Sequence, residues 1–251
     1  MDNLLAKYEL EQFNKDLDAF HIVLSAYQME QLLLYYEMLV EKNKVMNLTA
    51  ITEFHEVMKK HFIDSLSLVK AYDVSGLESG ISVIDIGTGA GFPGIPLKIA
   101  YPNLKITLMD SLNKRIDFLN EVIHSLGLKK IDTIHGRAED YAKPAILREK
   151  FDLCVSRAVA NLSTLSEYCL PYVKVGGKFI SYKSEKIVEE MKDAEYAINI
   201  LGGKVEGQFA FMLPDSDIYR NLFVIKKCRV TSKKFPRKAG TASKNPLSLE
   251  A

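Results

Sequence analysis

The chain has 251 residues, of which 47% are hydrophobic, so it is long enough to bury one large core. Its opening residues are charged, unlike a signal peptide, and no apolar run approaches the roughly 20 residues of a membrane span, which favours a cytoplasmic protein. The 3 cysteines lack CxxC spacing and the 5 histidines lack ligand spacing, so we expect no bound metal.

The net charge of +1 hides an uneven distribution. From Lys226 onward the chain has eight basic residues and one acid, whereas the preceding part has 25 basic residues against 31 acids. A basic segment on an acidic body is typical of a protein that contacts a polyanion. The alternative is a solvated, disordered tail.

The first part of the chain is predicted to be a helical cap. Apolar residues recur at helical spacing in Gln28 to Glu41 and in Phe54 to Tyr72. We therefore divide the chain into a helical cap at 1–78, a larger domain at 79–228 and a basic tail at 229–251.

From Ile81 onward, short apolar strands alternate with amphipathic helices. The predicted strands are Ile81 to Ile86, Ile106 to Asp110, Asp132 to His135, Phe151 to Ser156, Lys178 to Tyr182, Lys204 to Leu213 and Asn221 to Lys227. The predicted helices are Pro93 to Ala100, Lys114 to Leu126, Leu162 to Tyr172 and Ser184 to Ile200. This alternation predicts an α/β fold with a seven-stranded, largely parallel sheet covered on both faces. Only a turn separates the last two strands, so we expect a hairpin and one antiparallel strand.

The run VIDIGTGAGFPG, from Val83 to Gly94, predicts a strand that turns tightly around a ligand. Gly87 and Gly89 let the backbone turn sharply and let a ligand lie against it. Asp110 ends the next strand, where an acid can accept hydrogen bonds from ribose hydroxyls. The pattern fits both a nicotinamide dinucleotide and S-adenosylmethionine.

Asp85 favours the second of these cofactors. A carboxylate so near the turn would repel a pyrophosphate, whereas it would attract the ammonium and sulfonium groups of S-adenosylmethionine. The alternative is that Asp85 braces the loop through backbone N–H groups, and the two roles are compatible.

Several motifs together resemble one family of methyltransferases. DIGTGAGFPG and MDSLNKRIDFL resemble the opening motifs of class I methyltransferases. With HFIDSL, GRAED, VSRAVA, the pair Arg220-Asn221 and FPRKAGTASKNPL, they resemble the RsmG family, also called GidB, over about residues 32–247. The resemblance implies a Rossmann-like class I fold that uses S-adenosylmethionine, and an enzyme that methylates guanine N7 in bacterial 16S ribosomal RNA.

The resemblance also implies cofactor contacts, namely Gly87, Phe92, Asp110, Ser111, Leu112, Ala138, Glu139 and Arg157. In this interpretation Glu139 accepts from the exocyclic amine of adenine, and the backbone N–H of Ala138 donates to the same ring. Phe92 covers one face of the cofactor, and an ordinary core position is the alternative.

Guanine N7 has a free lone pair at neutral pH, so its methylation needs no general base and depends on positioning and electrostatics. The sequence is consistent with guanine N7 as the target, because it has SRAV where adenine N6 methyltransferases carry an NPPY-like tetrad. An arginine paired with guanine O6 and N7 would occupy the reacting lone pair. We therefore expect Arg157 to position the cofactor carboxylate or a phosphate, with Lys183 as a second positioning residue.

We expect phosphate contacts at Lys183, Arg220, Arg237 and Lys238, with 16S ribosomal RNA or a small-subunit particle as the partner of a monomeric protein. The target base should be exposed, because N7 in an A-form helix lies in a deep groove. Three alternatives stay open. They are a methyltransferase of the same fold with another substrate, a nicotinamide oxidoreductase, and a non-catalytic RNA-binding assembly protein.

Overall fold

The computed structural model describes residues 4–184 and 191–249. Its strands are β1 (Ser82–Ile86), β2 (Lys105–Asp110), β3 (Ile131–His135), β4 (Phe151–Ser156), β5 (Val173–Lys183), β6 (Gly203–Met212) and β7 (Tyr219–Lys227). Its α-helices are α1 (Leu4–Lys7), α2 (Glu11–Ala19), α3 (Ala26–Met46), α4 (Phe54–Val57), α5 (Asp64–Leu66), α6 (Val74–Glu78), α7 (Gly94–Ala100), α8 (Asn113–Ser125), α9 (Ala138–Tyr141), α10 (Leu162–Cys169), α11 (Met191–Ile200) and α12 (Thr241–Lys244).

The strands form one seven-stranded sheet in the order β3-β2-β1-β4-β5-β7-β6. The neighbours from β3 to β5 pair in parallel, whereas β7 is antiparallel to both β5 and β6. This confirms the predicted sheet, including its one antiparallel strand. The carboxyl ends of the parallel strands therefore meet at one edge, where ligands bind in such folds.

The observed strands agree with the predicted ones to within about two residues, except for β5. That strand begins at Val173 instead of Lys178. Its pairing with β4 shifts register between Phe151 and Leu153, and Gly176 has a φ of 93° there. Such an irregularity lets the strand extend through the glycine pair that precedes Lys178.

Two hydrophobic clusters cover the two faces of the sheet. One contains Val83 and Leu153 and also the cap residues Leu33 and Phe62, so the cap shares a core with the sheet. The other contains Ile84 together with residues of α10 and α11. Burial on both faces explains why the central strands are apolar throughout.

The cap differs from its prediction in two ways. Helix α3 is longer than the predicted Gln28 to Glu41, because a capping box between Ser25 and Gln28 starts it at Ala26. The predicted single helix from Phe54 to Tyr72 is wrong, since it consists of α4, a π-helical turn at Met58–Ile63, α5 and a 3₁₀ turn at Ser67–Lys70.

Serine side chains interrupt the regular helix at this place. The hydroxyl of Ser65 donates to the carbonyl of His61, and that of Ser67 donates to the carbonyl of Asp64. Such back-bonding competes with the backbone ladder, and π-turns occur often at functional sites. The irregular segment carries His61 and Asp64, which both contact the site described below.

Two further helices differ from their predictions. Helix α10 ends at Cys169 and continues as a 3₁₀ turn, Leu170–Tyr172, because Pro171 cannot donate a backbone hydrogen bond. Of the predicted helix from Ser184 to Ile200, residues 185–190 lie outside the described residues, and α11 forms the remainder.

The basic tail packs against the body of the protein, unlike a solvated tail. Thr231 and Ala242 are buried, and Arg237 pairs with Glu167 of α10. Within residues 4–184 and 191–249, no helix has both the length and the apolar character that a membrane crossing requires.

Candidate active site

A cavity of about 800 Å³ opens at the carboxyl edge of β1, β2 and β4. Eight of the predicted cofactor residues line it, namely Gly87, Gly89, Phe92, Asp110, Ser111, Ala138, Glu139 and Arg157. Asp85 and Leu112 are not in the lining. The edge of the sheet thus brings most of the predicted residues into one place.

The loop after β1 presents bare backbone to this cavity. Gly87 and Gly89 have φ values of 71° and 62°, in the left-handed region that favours glycine. A Cβ added at Gly89 would meet no heavy atom within 4 Å, so this residue adjoins open space. The loop therefore has the form of a cradle in which a ligand can lie against the chain.

Asp85 lies beneath the loop and braces it. Its Oδ2 accepts hydrogen bonds from Thr88 Oγ1 at 2.7 Å and from the backbone N–H of Gly94 at 2.9 Å. Within the described part of the chain, its buried Oδ1 has no hydrogen-bond partner. Burial raises the pKa of this carboxyl to about 7, although its hydrogen bonds and Arg157 act in the opposite direction.

Asp110 ties two loops together at the end of β2. Its Oδ2 accepts from the N–H of Gly89 at 3.0 Å and from Arg115 at 3.1 Å, and its Oδ1 accepts from the N–H of Leu112 at 3.0 Å. The same Arg115 nitrogen lies 3.5 Å from Oδ1, so a hydroxyl in the cavity would take the place of this long contact among the roughly four hydrogen bonds that a carboxylate accepts. Leu112 is 52% exposed beside this loop.

Glu139 and Ala138 begin the short helix α9. Glu139 is buried, and its Oε1 accepts the backbone N–H of Gly240 at 2.8 Å. Its Oε2 has no hydrogen bond to any residue in 4–184 or 191–249. The carbonyl of Ala138 accepts from Tyr172 at 2.6 Å, and Ala138 itself lines the cavity at the start of α9.

Arg157, at the end of β4, is held by the cap. Its guanidinium donates to the carbonyl of His61 at 3.2 Å and to Ser65 Oγ at 3.1 Å, and it lies 3.1 Å from Asp64 Oδ2. Its Cζ is 5.6 Å from the ring centroid of Phe92. Much of its hydrogen-bonding capacity is therefore used within the protein, in contrast to the expected contact with a ligand carboxylate or phosphate.

Asp64 joins two of the predicted cations. Its Oδ1 accepts from Arg220 Nε at 2.6 Å, while its Oδ2 pairs with Arg157. Asp64 has a side-chain exposure of 3%, and the two arginines have 15% and 18%. The pair His61 and Asp64 thus belongs to a network of charges and aromatic rings between cap and sheet.

The four residues predicted to hold phosphates do not line the cavity. Arg220 is bound by Asp64, Arg237 by Glu167, and the ammonium of Lys183 donates to the carbonyl of Ala160. Lys238 is exposed. Arg220 belongs to the cap side of the site and Arg237 to the α10 side, so the structure does not bring the four into one contact network.

Sequence reasoning missed several residues of the lining. They come from the cap, from α10 and from the tail, and they are Thr49, Thr164, Tyr168, Gly240 and Ser243. His61 stacks on Phe92 with a centroid distance of 4.5 Å and an angle of 17°, and its Nε2 lies 2.8 Å from Thr49 Oγ1. The motif FPRKAGTASKNPL carried the only available signal for Gly240 and Ser243.

The site contains two titratable groups with opposite effects on stability. Burial and then the charge of Arg157 lower the pKa of His61 from 6.5 to about 3. Its neutral form therefore contributes stability above pH 6.5, which is lost as the pH falls toward 3. The raised pKa of Asp85, from 3.8 to about 7, contributes stability below pH 3.8 that is lost as the pH rises to 7.

We expect these two contributions to oppose each other between pH 6.5 and 4. In the D85N variant, His61 titrates without opposition, so the free energy of unfolding should fall by about 3 kcal/mol more than in the wild type over this range. In His61→Gln it should instead rise on acidification relative to the wild type. Urea unfolding at pH 6.5, 5.2 and 4 measures both differences. Parallel pH profiles for all three proteins would contradict this prediction.

No group of three or more His, Cys, Asp or Glu side chains is placed to hold a metal ion in the part of the chain that the structure describes. The cavity is lined by carboxylates, a bare glycine loop and stacked rings. Such a set can hold a ligand that carries hydroxyls, an amine and a positive charge.

Solved structures with distant sequences share this fold. A mutant of MtNAS has a TM-score of 0.51 and 18% identity, with 91% of this chain and 83% of that chain covered. The [4+2]-cyclase SpnF has a TM-score of 0.51 and 13% identity, with 66% and 82% covered. These similarities concern the fold alone.

Relatives with higher sequence identity and a family model identify the family of this chain. The chain is 56% identical over 235 residues to ribosomal RNA small subunit methyltransferase G of Lachnoclostridium phytofermentans, covering 94% of this chain and 96% of that protein. It is 50% identical over 238 residues to the protein of that name from Staphylococcus epidermidis, covering 95% and 98%. The family model of GidB, described as rRNA small subunit methyltransferase G, matches residues 28–218. This chain belongs to the GidB family of methyltransferases.

Proposed function

We propose that this protein binds S-adenosylmethionine in the cavity and transfers its methyl group to N7 of a guanine in 16S ribosomal RNA. One observation carries the proposal. A single cavity combines the bare backbone at Gly89 with carboxylates at the ends of β2 and β3, Asp110 and Glu139. The relatives named above act, by their names, on ribosomal RNA of the small subunit.

The residues present fit this cofactor. Gly87 and Gly89 supply a backbone cradle, Asp110 accepts from ribose hydroxyls, and Glu139 accepts from the adenine amine through its Oε2. The N–H of Ala138 donates to the adenine ring, and Phe92 covers the cofactor from the cap side. Ser111 follows Asp110 in the cavity lining and adds a wall beside the adenosine, whereas Leu112 is exposed outside the lining and holds Asp110 through its backbone N–H. When bound, S-adenosylmethionine supplies a methyl group on a positively charged sulfur.

Asp85 supports a cationic ligand indirectly in this proposal. Its carboxylate is fully buried, and a positive charge in the cavity would lower its pKa from about 7 and favour its ionised form. The ionised carboxylate then accepts from Thr88 and Gly94 more strongly, which holds the loop. In this way a positively charged ligand would strengthen the hydrogen bonds that hold the loop, although it does not touch Asp85.

The chemistry needs orientation more than proton transfer. The bound cofactor would supply the methyl group and its positive charge, and guanine N7 brings a free lone pair, so the residues of the site would act by positioning and electrostatics. His61 stays neutral near pH 7, because its pKa is about 3, and it therefore adds no charge that would repel the cofactor. Arg157 acts by holding the cap, Phe92 and Asp64 in register, and Lys183 acts by holding the loop after β4 through Ala160.

We further propose that RNA phosphates contact exposed cations of the tail and the site rim. The exposed lysines of the tail are Lys233, Lys234, Lys238 and Lys244, and Lys226 of β7 is also exposed. Arg220, whose side chain is 15% exposed, can add a contact from the cap side. Arg237 is 23% exposed but is held by Glu167, and we assign it a positioning role instead. The protein would act as a cytoplasmic monomer on an exposed guanine.

Mapping 7-methylguanosine in 16S ribosomal RNA from cells with and without this protein tests the proposal. We expect one modified guanine that disappears in the deletion strain and returns with the wild-type gene but not with Gly89→Ala. Calorimetric titration of the purified protein with S-adenosylhomocysteine and with NAD identifies the cofactor. Binding of NAD alone, or unchanged 16S modification, would contradict the proposal. RNA binding without cofactor binding would favour the assembly-protein alternative.

A further inference from the structure

We propose that the tail segment from Phe235 to Ser243 is a strap that completes the cofactor cavity, and that Arg237 is the residue that positions it. This inference rests on the proposed function, since it concerns the same cofactor. Gly240 and Ser243 line the cavity, although they lie far along the chain from the glycine loop. The strap therefore belongs to the cofactor site, while the lysines of the tail remain available for RNA.

A buried ion pair anchors the strap to α10. The side chain of Glu167 is 1% exposed and accepts four hydrogen bonds from Arg237. The backbone N–H donates to Oε1 at 2.8 Å, Nε donates to Oε1 at 3.0 Å and to Oε2 at 3.1 Å, and Nη2 donates to Oε2 at 2.6 Å. The planar guanidinium matches the carboxylate in a paired geometry that a lysine cannot reproduce. Arg237 is thus fixed in position and orientation together with its backbone.

Further contacts hold the strap on both sides of this anchor. Arg148 donates to the carbonyl of Phe235 at 2.8 Å, and Thr164 of α10 donates to the carbonyl of Ala242 at 3.0 Å. The N–H of Thr241 donates to the carbonyl of Lys238 at 3.0 Å and closes a turn. These contacts fix the backbone at Gly240 relative to the anchored Arg237.

Gly240 then orients the carboxylate of Glu139. It has a φ of 81°, which directs its N–H to Glu139 Oε1 at 2.8 Å. With Oε1 held in this way, Oε2 is the oxygen that can accept the exocyclic amine of adenine. The strap therefore decides whether Glu139 has a defined orientation before the cofactor binds, and preorganisation of this kind increases affinity.

The strap and the bound cofactor stabilise each other through thermodynamic linkage. If the strap increases cofactor affinity, the bound cofactor must stabilise the strap by the same free energy. Both directions can be measured with S-adenosylhomocysteine, which needs no RNA and no turnover. The two readouts distinguish a positioning role from a general loss of stability.

The first experiment compares two arginines of the tail. Arg237→Lys keeps the charge beside Glu167 but loses the paired geometry, and we expect the Kd for S-adenosylhomocysteine to rise about tenfold. Arg229→Lys is the matched control, because Arg229 donates to Asn199 outside the cavity. We expect its Kd to stay within about twofold of the wild type. Thermal unfolding of both variants establishes that they are folded at the temperature of titration.

The second experiment uses hydrogen exchange in the unmodified protein. Addition of S-adenosylhomocysteine should slow exchange at the amides of residues 237–243 by about tenfold, and less so in Arg237→Lys. Unchanged Kd in Arg237→Lys together with unchanged exchange in the wild type would overturn the strap and leave the proposed cofactor intact. Absence of any binding of S-adenosylhomocysteine to the wild type would overturn the proposed function itself. A loss of RNA affinity alone in Arg237→Lys would return Arg237 to the RNA-binding set and overturn the strap.

Discussion

Replacement of Asp64 by alanine is expected to abolish most methyl transfer and to lower the free energy of unfolding by about 3 kcal/mol. Asp64 is nearly buried and neutralises both Arg157 and Arg220. Without it, two partly buried cations lie close together and repel each other. Arg157 then loses the position that it holds over Phe92, and a displacement of this kind costs about 100-fold in rate.

A second buried ion pair in the cap provides the control. Asp16 pairs with Lys59 at 2.5 Å, with side-chain exposures of 2% and 14%, and neither residue lines the cavity. We expect Asp16→Ala to lose about as much stability as Asp64→Ala, while its initial rate on small-subunit RNA stays within about threefold of the wild type. Initial rates are compared at a temperature where urea unfolding shows both variants folded. Equal losses of rate in the two variants would reduce Asp64 to a structural role.

Two glycines of the loop should separate folding from cofactor binding. A Cβ at Gly94 would lie 2.3 Å from Leu108 Cδ2 and 3.0 Å from Asp85 Oδ2. Leu108 is buried in the core, so Gly94→Ala forces the packing around β2 to shift and should lower the free energy of unfolding by about 3 kcal/mol.

Gly89→Ala should instead cost little stability and much cofactor affinity. Its Cβ meets no atom of the protein, and the strained φ of 62° costs about 1 kcal/mol. The methyl group instead enters space that we assign to the cofactor, so the Kd for S-adenosylhomocysteine should rise by at least about 100-fold. Chemical denaturation and calorimetric titration of both variants check the contrast. Normal cofactor affinity in Gly89→Ala would contradict the placement of the cofactor against this loop.

The cap and the tail change the interpretation of the site. The sheet edge alone provides the glycine loop and the carboxylates, whereas His61 from the cap and Gly240 from the tail close two of its sides. Both closing segments are tied to the sheet domain by buried charged pairs, through Arg157 and Asp64 on one side and through Arg237 and Glu167 on the other. Cofactor affinity in this protein should therefore depend on residues remote in sequence from the glycine motif.

The sequence by itself determined the sheet, its single antiparallel strand and the position of the cavity. Hydrophobic runs of strand length define the strands, and the carboxyl ends of parallel strands converge on one edge, so Gly89, Asp110, Glu139 and Arg157 could be placed together without a structure. These inferences need only local periodicity and one rule of topology.

Only the tertiary structure decided what the charged residues do. Arg220 meets Asp64, Arg237 meets Glu167 and Gly240 meets Glu139 across separations of 156, 70 and 101 residues. The spacing of charged residues along the sequence does not reveal which groups they pair with. The same arginine can bind a phosphate or a buried carboxylate. Asp85 shows this most clearly, because a carboxylate beside the loop is visible in the sequence, whereas its burial and its bonds to Thr88 and Gly94 depend on packing from both sides of the sheet.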